Sequence, residues 1–188
     1  VLRRLLKILR PNRLEFSAFG IREGNLFERL DPETRAADPL LAACADISAR
    51  ESRFGNRGDL LFDWIAPLFA SSADPATTRL CRAACLLADI GWQVHPSYRA
   101  EQIYLRILRL PITGVDHNSW AKIAMAVFVR YGGSPSDDRL GVVGTILSEE
   151  DVVWTRSVGT ALRLAETLAG GMPEILAGSS LRVEDDRL

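Results

Sequence analysis

The stretch LLADIGW, Leu86 to Trp92, carries an apolar run up to one aspartate, Asp89. A metal centre built on a His-Asp pair needs histidine just before that aspartate, since imidazole and carboxylate converging on a divalent ion lower the pKa of bound water. Ala88 stands there instead. The His and Asp residues that could still gather are Asp89, His95, Asp116 and His117. Against a ligand role, His95 before Pro96 reads as a loop residue bonding to backbone, and Asp116–His117 as the N-cap of the helix that ends at Tyr131. The cysteines, Cys44, Cys81 and Cys85, include no C-x-x-C pair and have only two histidines to complete a zinc tetrad. They read as reduced thiols in a cytosolic core, with Cys81 and Cys85 on one helix face as small apolar residues.

The second chemistry is anion binding. Arg50, Arg53, Arg57, Arg99, Arg106 and Arg109 offer guanidinium forks that match phosphate oxygens, with a solvated helix face as the other explanation. At Arg22, Glu23 and Gly24, backbone N–H groups leave a helix N-terminus just after Gly20, which permits close approach of an anion. Glu23 opposes an anion there unless it pairs with Arg22. Trp64, Trp92, Trp120 and Trp154 sit among apolar neighbours without a basic stripe, so they read as core or interface anchors and not as base-stacking platforms.

These residues need a scaffold, and 188 residues with 47% hydrophobic and 25% charged content can bury a core. The 23 Lys+Arg balance 24 Asp+Glu, so no general pull toward nucleic acid or acidic lipid exists and any polyanion site must be local. No apolar run is long enough for a membrane span and no signal peptide is visible. In LRRLLKILR the charges alternate with leucines at helical spacing.

The pattern is helical almost throughout. Helices are expected at about Arg22–Leu30, Pro39–Glu51, Asp59–Phe69, Ala76–Ile90, Arg99–Leu108, Ser119–Tyr131, Ser136–Leu147 and Glu149–Leu168. Caps are expected at Asp38, in SSADP, and at Gly91, Gly132–Gly133 and Gly170–Gly171. The run Leu2, Leu5, Leu6, Leu9 is helical from the first residues, RLEFSAF alternates like a strand through Leu14, Phe16 and Ala18, and SLRVEDDRL reads as a strand and acidic turn. An unpaired strand and an unfinished hairpin give the expectation that the chain is cut from something longer.

Two stretches carry a family resemblance. FSAFGIREGNLFERL, with Ser17, Gly20, Arg22, Glu23 and Gly24, resembles the strand–turn–helix closing the second actin-like domain of the exopolyphosphatase/guanosine-pentaphosphate phosphatase family. From RFGNRGDLLFDWIAPLF through RLCRAACLLADIGWQVHPSYRAEQ to VGTALRLAETLAGG, the chain resembles the HD-like helical domain that follows in longer members. The resemblance implies a mainly α fold: residues 1–32 ending an actin-like (ribonuclease H-like) α/β domain, 33–178 forming the HD-like domain, and 179–188 starting a mixed α/β module.

The resemblance further implies that a cytoplasmic, homodimeric parent enzyme hydrolyses terminal phosphoanhydride bonds of inorganic polyphosphate with Mg2+, guanosine pentaphosphate being the alternative substrate. The catalytic cleft would lie upstream, so the expectation here is no catalytic residue, no bound metal and no activity of this piece alone. Phosphate contacts are expected from Arg22, Glu23, Gly24, Arg53, Arg57 and Arg99. The HD-like metal site is expected to be a relic, because arginine, Arg53, replaces its first histidine and cannot ligate a metal. Two rival functions remain: a metal-dependent HD phosphohydrolase, and a non-catalytic helical interaction or regulatory domain.

Overall fold

The computed structural model describes residues 1–14, 19–53, 55, 57–72, 74–137, 140–141 and 145–182, which divide into two compact units, 1–37 and 38–188. The first holds three short helices, α1 (Leu2–Leu9), α2 (Ile21–Glu28) and α3 (Pro32–Ala36), with no buried residue among those described. The strand expected over RLEFSAF rests on residues 15–18, Ser17 included, which lie outside the described residues.

The second unit is all helix and turn: α4 (Pro39–Glu51), α5 (Gly58–Ile65) running into a 3-10 segment (Ala66–Ser72), α6 (Pro75–Leu87), α7 (Pro96–Leu108), α8 (His117–Arg130), α9 (Glu149–Ala169) and α10 (Pro173–Ala177). The chain is therefore mainly α, and no strand occurs among the described residues. The C-terminal turn and returning strand expected after Val183 also fall outside them.

Three helix starts, those of α3, α4 and α6, use one device, an aspartate acceptor followed by proline. Asp38 accepts from the Leu40 and Leu41 amides at 2.9 and 3.3 Å ahead of Pro39, and Asp74 accepts from Ala76 and Thr77 at 2.9 and 3.1 Å ahead of Pro75. Helix α9 opens with a reciprocal capping box between Ser148 and Asp151, at 3.1 and 3.0 Å.

Two expectations need correction. The helix read over Ser136–Leu147 is not α-helical in its described residues, which make turns and 3-10 pieces. Gly141 is left-handed there, with φ 55°, and a right-handed helix cannot pass through that conformation. Helix α7 begins at Pro96, three residues before the expected Arg99, because His95 itself caps it: Nδ1 accepts from the Ser97 amide at 3.3 Å.

Helices α6 and α8 form the centre. Leu87, Ile123 and Met125 have no exposed surface, and the run Ile123–Val129 is buried on successive positions, the mark of a helix enclosed on all sides. Each such aliphatic side chain contributes about 1.5–3 kcal/mol on burial. Helix α9 approaches α8 closely at Gly159, where a Cβ would meet the Ala126 carbonyl oxygen at 2.5 Å. The same packing brings the C-terminal ends of α6, α8 and α9 beside the N-terminal end of α7. Trp64 is buried with Nε1 donating to Ser179 Oγ at 3.0 Å, Trp120 and Trp154 are partly buried, and Trp92 is 37% exposed.

Candidate functional site

Asp89, in the turn after α6, is 3% exposed yet ionisable, so its charge needs compensation. Arg53, from the turn after α4, supplies it: the backbone amide donates to Oδ2 at 3.0 Å, Nη2 donates to Oδ1 at 2.8 Å, and Nε approaches both oxygens at 3.2 and 3.3 Å. This fork-on-carboxylate pairing raises the Arg53 pKa above its ordinary value. The carboxylate thus serves as a polar anchor for a loop 36 residues away. Gly91 keeps its own role: its amide donates to the Tyr131 hydroxyl at 3.0 Å, and burial pushes that phenol's pKa up.

Beside Asp89 lies a second buried acid, Glu166 of α9. Arg57, whose side chain is 5% exposed, donates from Nη2 to Glu166 Oε1 at 2.9 Å and from Nη1 to the Gly171 carbonyl at 2.9 Å. Its Nη2 also stands 3.5 Å from Asp89. Arg130, at the end of α8, reaches Glu166 at 3.4 Å and Asp89 at 3.9 Å, and its guanidinium carbon stacks 4.0 Å from the centroid of the Tyr131 ring.

Above these pairs opens a basin of about 310 Å3, lined by Arg53, Arg99, Arg130, Tyr131, Arg163 and Glu166, with the α9 end at Gly170 and Gly171 on its rim. Arg99 is held in place by donating to the Val94 and Trp92 carbonyls at 2.8 and 3.0 Å, so its charge is positioned without being neutralised by an acid. Arg163 is exposed and has no acidic partner among the described residues. Counting Arg57 on the floor, five guanidinium groups surround two carboxylates, Asp89 and Glu166, an excess of three positive charges. A concave, positively charged wall that focuses its field suits an anion.

Among the described residues no three His, Cys, Asp or Glu side chains gather where they could hold a metal. Both acids of the basin are committed to arginines, and an added cation would sit against those guanidinium groups. Nor does Asp89 meet Asp116 or His117 of the expected His/Asp cluster, while His95 caps α7. Asp116 caps the N-terminus of α8 by accepting from Ser119 at 2.8 Å, with His117 as the first helical residue, whereas Arg130, which neighbours Asp89, ends the same 14-residue helix. At 1.5 Å per residue that is about 20 Å away.

Of the arginines flagged in the sequence, Arg53, Arg57 and Arg99 converge here. Arg50 pairs with Asp46 and Arg106 with Glu51, while Arg106 and Arg109 line a separate groove along α7. In the first unit, Arg22, Glu23 and Gly24 form the first turn of α2, where Glu23 accepts from the Gly20 amide at 2.7 Å and Gly24 donates to the Gly20 carbonyl at 3.1 Å. The backbone N–H of Glu23 itself and that of Gly20 hold the Glu23 carboxyl below the usual range, so that helix start already carries an anion of its own. Sequence reasoning missed Arg130, Arg163 and Glu166. The signal was present in α9, where Arg163, Glu166, Thr167 and Gly170 recur at helical spacing and share one face.

The architecture is thus a helical domain with an arginine-lined basin where helix ends meet. The family model described as "Exopolyphosphatase, C-terminal" matches residues 40–187, and the chain belongs to that family. Among curated proteins it is similar to Retrograde regulation protein 2 of Saccharomyces cerevisiae, 28% identical over 163 residues, covering 79% of this chain and 27% of that protein. The chain therefore spans about a quarter of that relative's length. No helix among the described residues is long and apolar enough to cross a membrane.

Proposed function

We propose that this chain is the helical C-terminal part of an exopolyphosphatase-like enzyme, and that its share of the work is to hold inorganic polyphosphate in the arginine basin. The parent would cleave terminal phosphoanhydride bonds. The magnesium and the water-activating carboxylate for that step are assigned outside this chain, whose buried acids are paired with arginine. The observation that carries the reading is the charge arrangement: Asp89 and Glu166 orient Arg53, Arg57 and Arg130 as preset forks, and Arg99 and Arg163 add charge that no acid among the described residues cancels. The family supports the substrate class. The exopolyphosphatase resemblance alone supports a role in dimer contacts, and light scattering on the parent protein checks it.

Calorimetric titration of the full chain with short-chain polyphosphate at several salt concentrations tests the holding role. Affinity should fall as salt rises, and Arg163→Gln and Arg99→Gln should each weaken binding and flatten the salt dependence. Salt-independent binding, or binding indifferent to both substitutions, would overturn the reading. A non-catalytic regulatory module is the second reading, favoured by the name of the yeast relative. Undiminished polyphosphate hydrolysis by a parent protein carrying both arginine substitutions would favour it.

A further inference from the structure

Of the three arginines paired with the buried acids, Arg130 is held least firmly by them. Its Nη2 stands 3.4 Å from Glu166 and 3.9 Å from Asp89, beyond the roughly 2.7–3.2 Å of a hydrogen bond. Its Nε is buried without a hydrogen-bond partner among the described residues. Arg53 and Arg57, by contrast, donate to the same acids at 2.8 and 2.9 Å. An arginine side chain is long and rich in rotamers, so attraction at the longer range leaves the plane of the Arg130 fork unset.

A ring sets it. The Arg130 guanidinium carbon lies over Tyr131, 4.0 Å from the ring centroid. Stacking occupies the face of a guanidinium and leaves its N–H edge free to donate in the plane. The ring is fixed in turn by the segment that follows Asp89. The Gly91 amide donates to the Tyr131 hydroxyl at 3.0 Å, and a Cβ at Gly91 would meet Tyr131 Cζ at 3.0 Å, so glycine there lets the ring close onto the turn. In that same turn the Trp92 and Val94 carbonyls accept from Arg99, whose guanidinium carbon lies 5.8 Å from the same centroid. One turn thus anchors both the ring and a second cation of the basin.

We infer that Tyr131 is a positioning residue of the basin: its uncharged ring sets the Arg130 fork in register with Arg99, and anion affinity depends on that ring. The inference rests on the polyphosphate-holding reading and adds the residue through which two of its cations are assembled. A tyrosine that merely filled space would affect stability and leave binding alone.

The test is calorimetric titration of the full chain and its variants with tripolyphosphate, beside circular dichroism melts. Tyr131→Phe keeps the ring and deprives the Gly91 amide of its acceptor, so it should melt lower yet bind within about twofold of the unaltered chain. Tyr131→Leu lacks both ring and hydroxyl and should bind about tenfold more weakly. Arg130→Lys keeps the charge without the planar face, and in that background Tyr131→Leu should cost less than about a further twofold. Leucine binding like the unaltered chain, phenylalanine binding as weakly as leucine, or losses that add in full would overturn the inference and leave phosphate holding intact. If Tyr131→Leu fails to fold, the Arg130 Nε–H resonance of the unaltered chain decides: the ring face should shift it upfield, in Tyr131→Phe as well, and an unshifted resonance overturns the inference. Failure of the unaltered chain to bind tripolyphosphate overturns the holding reading and this inference with it.

Discussion

Replacing Asp89 by alanine probes the keystone of the basin. The substitution removes the acceptor for the Arg53 amide and for its guanidinium fork, and leaves Glu166 alone against Arg53, Arg57 and Arg130. The cost does not fall equally. Arg53 is 32% exposed and can turn toward water, so its share is discounted. Arg57 and Arg130 are 5% and 11% exposed and cannot, although each keeps Glu166. Breaking a buried pair costs about 3–5 kcal/mol, and the retained partner places this case near the lower end. At about 2–4 °C per kcal/mol for a chain of this size, the midpoint should drop by about 6–12 °C.

Circular dichroism melts of Asp89→Ala and Asp89→Asn measure this. The asparagine variant keeps an acceptor for the Arg53 amide and should lose less. The variants also carry an extra uncancelled positive charge, so added phosphate should raise their midpoints more than that of the unaltered chain. A drop under about 2 °C, or an Asp89→Asn melt equal to the parent's, would refute the reasoning, since one kcal/mol or less is the worth of an ordinary surface pair.

Three further outcomes follow from the packing. Gly159→Ala forces a Cβ against the Ala126 carbonyl and Val129 and should cost about 1–3 kcal/mol, read as a lower urea midpoint. Asp38 is held below the usual carboxylate range, chiefly by its hydrogen bond with Arg79, so its contribution is complete above the unfolded value and is lost as pH falls through the folded one. Asp38→Asn retains the helix cap, so its deficit of about 1 kcal/mol at pH 7 should begin to close only below about pH 4 and vanish as pH falls through the lowered folded value, which melts across that range would show. Burial pushes the Cys44 thiol up to about 12 and Cys85 well above its ordinary value, so iodoacetamide at pH 8 should label both only after denaturant is added, as mass spectrometry would read.

The fold was legible where local chemistry decides it. Asp-Pro pairs at Asp38 and Asp74 announce two helices through groups adjacent in the chain. It was illegible where tertiary or conformational facts intervene: the apolar spacing of Leu140, Ile146 and Leu147 imitates a helix, but Gly141 turns left-handed. Helices α3 and α10, of five residues each, are too short to show a period. The basin was half legible. Arg53, Arg57 and Arg99 stand out as cations, but nothing local says that Asp89 would pair with Arg53. That pairing, and the arrival of Arg130 and Glu166 beside it, comes from helix ends meeting across the fold, a relation that no spacing along the chain encodes.

The central claim is that guanidinium groups occupy both buried acids of the basin and present their charge to phosphate. Crystals of the full chain grown with both tripolyphosphate and Mn2+ test this most directly. The account predicts phosphate density against Arg53, Arg99, Arg130 and Arg163, with no manganese anomalous peak at Asp89 or Glu166. Manganese on Asp89, with the Arg53 side chain swung away, would contradict it.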